Sequence, residues 1–128
     1  MKQGILIIAC IMGLMACKKI EGEGGTSSIK GKIVVENYNS VGTLISTYDG
    51  AKEDVYIVYG DADNVYDDKM EASYDGTFEF RYLEEGTYTI FTYQDCAECG
   101  SGEEAVIKTV TIDAKKSTQD LGTIIIKK

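Results

Sequence analysis

Between Thr77 and Tyr82 the chain alternates strictly: Phe78, Phe80 and Tyr82 point one way, and Thr77, Glu79 and Arg81 the other. A period of two belongs to an extended strand with one dry and one wet face, because successive side chains leave a pleated backbone on opposite sides. Asp75-Gly76 before it and Leu83-Glu84-Glu85-Gly86 after it are turns, so the segment is one arm of a hairpin that returns through residues 87–93. The same signature recurs at residues 29–36, 55–59, 105–112 and 122–127, with a shorter piece near 69–73. No window sustains a 3.6-residue period. The expected fold is therefore all-β, an antiparallel two-layer sandwich of about seven strands, preceded by an N-terminal signal helix.

The chain has 128 residues, enough for one core and too few for two. It contains no His, which removes the Ser-His-Asp and Cys-His constellations and every His-ligated metal site. Thirteen Lys plus Arg stand against 21 Asp plus Glu, and the net charge of −8 excludes a nucleic-acid partner, whose phosphates need a basic face. With 44% hydrophobic residues the chain can bury a core.

The first residues read as an address. Met1-Lys2-Gln3 gives a positive start, and the 13 residues from Gly4 to Ala16 are apolar or small. A bilayer span needs roughly 20 such residues, so the run fits a secretory signal instead. Its end, Leu14-Met15-Ala16-Cys17, resembles the lipobox of bacterial lipoproteins. That resemblance implies cleavage before Cys17, a covalent lipid on the Cys17 thiol and palmitate on the new amino terminus. Lys18 after Cys17 resembles lipoproteins destined for the outer membrane, either periplasm-facing or surface-exposed. Domain boundaries follow: a signal peptide over 1–16, a lipidated Cys17 with a Gly/Ser-rich flexible tether to Ser28, and the sandwich over 29–128.

A second resemblance rests on Ser28-Ile29-Lys30-Gly31-Lys32-Ile33-Val34, on Asp54-Val55-Tyr56-Ile57-Val58-Tyr59, and above all on the run from Tyr74-Asp75-Gly76-Thr77-Phe78 to Gly86-Thr87-Tyr88-Thr89-Ile90. Together they resemble the carboxypeptidase regulatory-like domain, a transthyretin-like (prealbumin-like) β-sandwich. The departure is a long connection, residues 37–53, with an apolar piece at 41–45 that suits an extra hairpin. The resemblance implies fold more than activity. The transthyretin-like branch that hydrolyses 5-hydroxyisourate needs active-site His, which this chain lacks.

Four groups of side chains invite chemistry. Cys96 and Cys99 form a C-x-x-C that follows a strand and has acidic neighbours. Outside the cytoplasm this favours a structural disulfide over a low-pKa redox pair or a zinc site. Asp61, Asp63, Asp67 and Asp68 cluster as a weak Ca²⁺ candidate, but the spacing fails the EF-hand pattern and a solvated acidic loop is favoured. Paired carboxylates across a cleft are not legible. Nine of twelve aromatics are Tyr, and alternation sends Tyr56, Phe91 and Tyr93 to the outside of their strands, as candidates for protein or glycan contact.

The expectation is a non-catalytic, lipid-anchored envelope module with no resident cofactor or metal. Its partners would be the bilayer, through the acyl anchor, and an envelope protein or glycan. The alternatives are a thiol–disulfide protein using Cys96 and Cys99, and a transthyretin-like hydrolase.

Overall fold

The computed structural model describes residues 20–60 and 65–128. Cys17, the signal peptide and its expected helix, Asp61 and Asp63 lie outside the described residues. Eight strands follow in order: β1 (Glu23–Tyr38), β2 (Leu44–Asp49), β3 (Asp54–Tyr59), β4 (Asp68–Glu71), β5 (Thr77–Leu83), β6 (Gly86–Asp95), β7 (Glu103–Ile112) and β8 (Thr118–Lys127). They form two four-stranded sheets, the two-layer sandwich expected from the alternation. In the first, β1 is central, with β5 and then β2 along one side and β8 along the other. The second has the order β4-β3-β6-β7 and is antiparallel throughout. The pairing of β8 with β1 is parallel, which the hairpin signals do not reveal.

The core lies where the period of two places it. Ile29, Ile33 and Val35 of β1, Phe78 and Phe80 of β5, and Ile124 and Ile126 of β8 face Val55 and Ile57 of β3, Tyr88 and Ile90 of β6 and Ile112 of β7. Each of these large side chains contributes about 1.5–3 kcal/mol on leaving water. On β1 and β5 the alternate positions stay wetter, as in Lys30, Lys32, Glu79 and Arg81, so a one-residue slip would bury charges.

Three expectations need correction. The alternation of β5 breaks at its end: Tyr82, expected in the core with Phe78 and Phe80, is 69% exposed, and Leu83 is buried in its place. Tyr82 adopts φ +59, a left-handed kink that reverses the side on which the next side chain emerges. The strand number is eight because the long 37–53 connection holds β2, which pairs with β1 from Val34↔Asp49 to Tyr38↔Leu44. Its apolar residues add nothing to the core, since Val41, Leu44 and Ile45 are exposed.

The third correction is the tether. Strand β1 begins at Glu23, so residues 23–28, expected to be flexible, are part of the sheet. Ser27 is buried, donating through Oγ to the Ala114 carbonyl (3.0 Å) and accepting from the Ser117 amide (3.2 Å). Gly25 passes so close to β5 that a Cβ there would lie 2.0 Å from the Leu83 carbonyl oxygen. Small residues serve here to let two backbones meet.

One residue before β1 begins, at Gly22, the chain is already fastened. The Gly22 amide donates to Tyr88 Oη (3.0 Å), that hydroxyl donates to the Glu84 carbonyl (2.6 Å), and the Glu84 amide donates back to the Gly22 carbonyl (2.8 Å). A buried phenol tied to the strand-to-strand corner four residues upstream is the device of the tyrosine corner. The neighbouring Tyr59 packs edge-on to Tyr88, with ring centroids 5.8 Å apart. Burial first, then the charges of Glu23, Asp68 and Asp67, push the Tyr59 phenol up to about 12. A phenol that resists ionising in the folded state supports the fold fully below the unfolded value of about 10. That support is lost as pH rises from about 10 through the folded value. The melting temperature should therefore fall across this alkaline window, and less steeply in Tyr59→Phe; parallel curves for the two proteins would refute it.

Candidate functional site

In β3, Val55, Ile57 and Tyr59 turn inward, so Tyr56 and Val58 turn outward. In β6, Tyr88, Ile90 and Thr92 are buried, which sends Thr89, Phe91 and Tyr93 outward. Register then aligns them across the sheet. Tyr56 lies opposite Phe91 on one side and Lys69 of β4 on the other, Phe91 lies opposite Ile107 of β7, and Tyr93 lies opposite Ala105. The three aromatic residues singled out in the sequence are thus brought together on one outer face.

Their rings make a continuous patch. Tyr56 and Phe91 stack nearly parallel, with centroids 4.9 Å apart and planes 12° from each other. Tyr93 meets both edge-on, at 5.6 Å from Tyr56 and 5.7 Å from Phe91. A fourth ring, Tyr66, leans on Tyr56 at 5.0 Å. Tyr66 and Tyr93 are each 41% exposed, so the patch is open to solvent.

The sequence gives no signal for Tyr66, because its position depends on how the loop after β3 folds back. Two bonds hold that return: the Asp67 amide donates to the Ile57 carbonyl (2.9 Å), and Asp67 Oδ2 accepts from the Tyr59 amide (2.7 Å). Val58, although on the outer face, is 6% exposed. Asp68 Oδ1 accepts from the Lys69 amide (2.8 Å). The described half of the acidic cluster is therefore occupied with backbone amides, which accords with a structural loop.

A polar cleft of about 460 Å³ adjoins the rings at the same end of the sheet. Asp54, Asp95 and Glu103 line it beside Tyr56 and Tyr93. Across it Lys128 Nζ sits 2.8 Å from Glu53 Oε1, and that bond, ahead of the nearby Asp95 charge, raises the Lys128 pKa and keeps the ammonium charged. Burial, and secondarily the Asp54 charge, raises the Tyr56 pKa. Flat apolar rings beside carboxylate acceptors and hydroxyl donors suit a ligand with one apolar face and a polar rim.

Beyond the cleft, the turn joining β6 to β7 carries the Cys96–Cys99 disulfide. The turn is also closed by backbone bonds, Cys96 amide to Gly102 carbonyl (2.8 Å) and Gly102 amide to Cys99 carbonyl (3.0 Å). Glu104 lies close enough to form a three-ligand group with the two sulfurs, but the sulfurs are bonded to each other. A cross-link over so short a loop stabilises by about 2 kcal/mol through the unfolded chain. The double variant Cys96→Ser, Cys99→Ser should melt on the order of 10 °C lower. An unchanged melting temperature would show that the backbone bonds alone hold the turn.

No protein-family model matches the sequence, and no curated protein does. Among solved structures, the fold is similar to that of a Pseudomonas aeruginosa protein described as a "putative carbohydrate binding protein". The superposition has a TM-score of 0.50 and 17% sequence identity, over 84% of this chain and 91% of the other. At that identity the likeness is one of fold.

Proposed function

We infer that this chain is a non-catalytic glycan-binding module, anchored in the outer membrane by a lipid on Cys17. The observation that carries the reading is the open aromatic patch of Tyr56, Phe91, Tyr93 and Tyr66 beside the cleft of Asp54, Asp95 and Glu103. A pyranose presents a face of C–H groups that rests on such rings, while its hydroxyls reach carboxylates at the edge. The fold shared with a protein described as carbohydrate-binding favours a glycan over a protein partner. The Ala16-Cys17 ending of the apolar leader supports the anchor. The resemblance of the Tyr74–Ile90 run to the carboxypeptidase regulatory-like, transthyretin-like group fits an accessory role without adding an activity.

The decisive measurement is retention of the detergent-solubilised full chain on a panel of insoluble and immobilised polysaccharides. Retention on at least one, eluted by its soluble fragments, is the expected result. Failure on all of them, with the protein folded, would refute the glycan reading. Palmitate labelling that survives in Cys17→Ser would refute the anchor separately.

A further inference from the structure

The lipid end lies at one corner of the sandwich, and the aromatic patch lies on the outer face of the second sheet, displaced along the strands from that corner. Gly22 is fixed to Tyr88 and Glu84 at the corner between β5 and β6, and only four residues, 18–21, lie between it and Cys17. The five residue-to-residue steps from Cys17 to Gly22 span at most about 18 Å however they are arranged. The same end carries the turn between β7 and β8, where the Lys116 amide donates to Thr26 Oγ1 (3.0 Å). From this corner β6 runs away toward the patch: Phe91 is five residues beyond Gly86 and Tyr93 seven, about 17 and 23 Å along an extended strand. The disulfide turn and the acidic cleft lie farther still, at the end of β6 and the start of β7.

Resting on the glycan and anchor readings above, we propose that the domain stands on its Gly22 corner and presents the aromatic patch away from the bilayer. It then takes a polymeric glycan arriving from beyond the membrane, and not the sugar of a neighbouring lipid. A strap of at most about 18 Å keeps the Gly22 corner near the bilayer, while β6 carries Phe91 and Tyr93 about 17 and 23 Å from that corner.

The lipidated full chain on phosphatidylethanolamine–phosphatidylglycerol vesicles tests this geometry without any glycan. A fluorescent residue placed at Lys116 should transfer energy to a headgroup acceptor at least about threefold more than one at Ser101, since β7 separates the two turns by about 33 Å. Tyr93 should be acylated by N-acetylimidazole as fast on vesicles as in detergent. Equal transfer from the two positions, or protection of Tyr93 on vesicles, would overturn the proposal while leaving polysaccharide retention in detergent intact. Upright geometry with no polysaccharide retained would instead remove the glycan reading alone. A chain that does not partition onto the vesicles overturns the anchor and the proposal together.

Discussion

One methyl group at Gly76 is expected to cost more than about 3 kcal/mol, more than most truncations of a surface side chain. Gly76 has φ +81, a conformation that costs an L-residue about 1–2 kcal/mol. Space adds the larger part. A Cβ at Gly76 would lie 2.2 Å from the Ile33 carbonyl oxygen and 2.9 Å from the Gly50 amide nitrogen, and both are backbone atoms. They are also bonded to each other and to this turn: the Gly50 amide donates to the Ile33 carbonyl (2.9 Å), and the Ile33 amide donates to the Gly76 carbonyl (2.8 Å). Moving any one of the three segments disturbs bonds worth about 1 kcal/mol each, in the middle of β1. Gly42 supplies the comparison, because it has φ +83 but open space around it. Gly42→Ala should therefore show the conformational part alone, about 1 kcal/mol. Urea unfolding of both variants decides the matter, and equal shifts in midpoint would rule out the three-way backbone contact.

The second large effect concerns ligand and not stability. Tyr56→Ala combined with Phe91→Ala removes the stacked pair at the centre of the patch. On the polysaccharide that retains the wild type, affinity should fall at least about 30-fold, equivalent to roughly 2 kcal/mol for a central aromatic anchor. Tyr93→Ala, at the rim and meeting its neighbours edge-on, should cost less. The rings point away from the core, so the double variant should stay folded, with a melting temperature reduced by only a few degrees. Tyr82→Ala is the control, an exposed tyrosine at the end of β5 in the other sheet, and it should change neither property. Isothermal calorimetry would show it; a double variant that binds like the wild type would place the glycan elsewhere.

Much of this arrangement is legible from residue order. A strict period of two forces the faces of β3, β5 and β6, so the core and the outward Tyr56, Phe91 and Tyr93 follow from the sequence. What stays hidden has common physical causes. Tyr82 escapes because a positive φ in a non-glycine residue leaves no compositional trace. The start of β1 escapes because Gly25 and Ser27 look like a linker, while their small size is what lets β1 press against β5 and the 114–117 turn. Tyr66 joins the patch only through the Asp67 bonds, which run between residues far apart on the strand and loop. The cleft is assembled from β3, β6, β7 and the last residue, Lys128, and no local pattern announces such a meeting.

The parallel pairing of β8 with β1 sets the timing of folding as well as its shape. Ile124 and Ile126, near the end of the chain, complete the layer that Ile29, Ile33 and Val35 begin. Ile33 pairs with Ile124 and Val35 with Ile126, so each partner arrives about 90 residues later in the chain. Contacts between residues so far apart in sequence form slowly, and the loop-closure entropy must be met before they give anything back. The strand that closes the first sheet is thus the clock of its assembly.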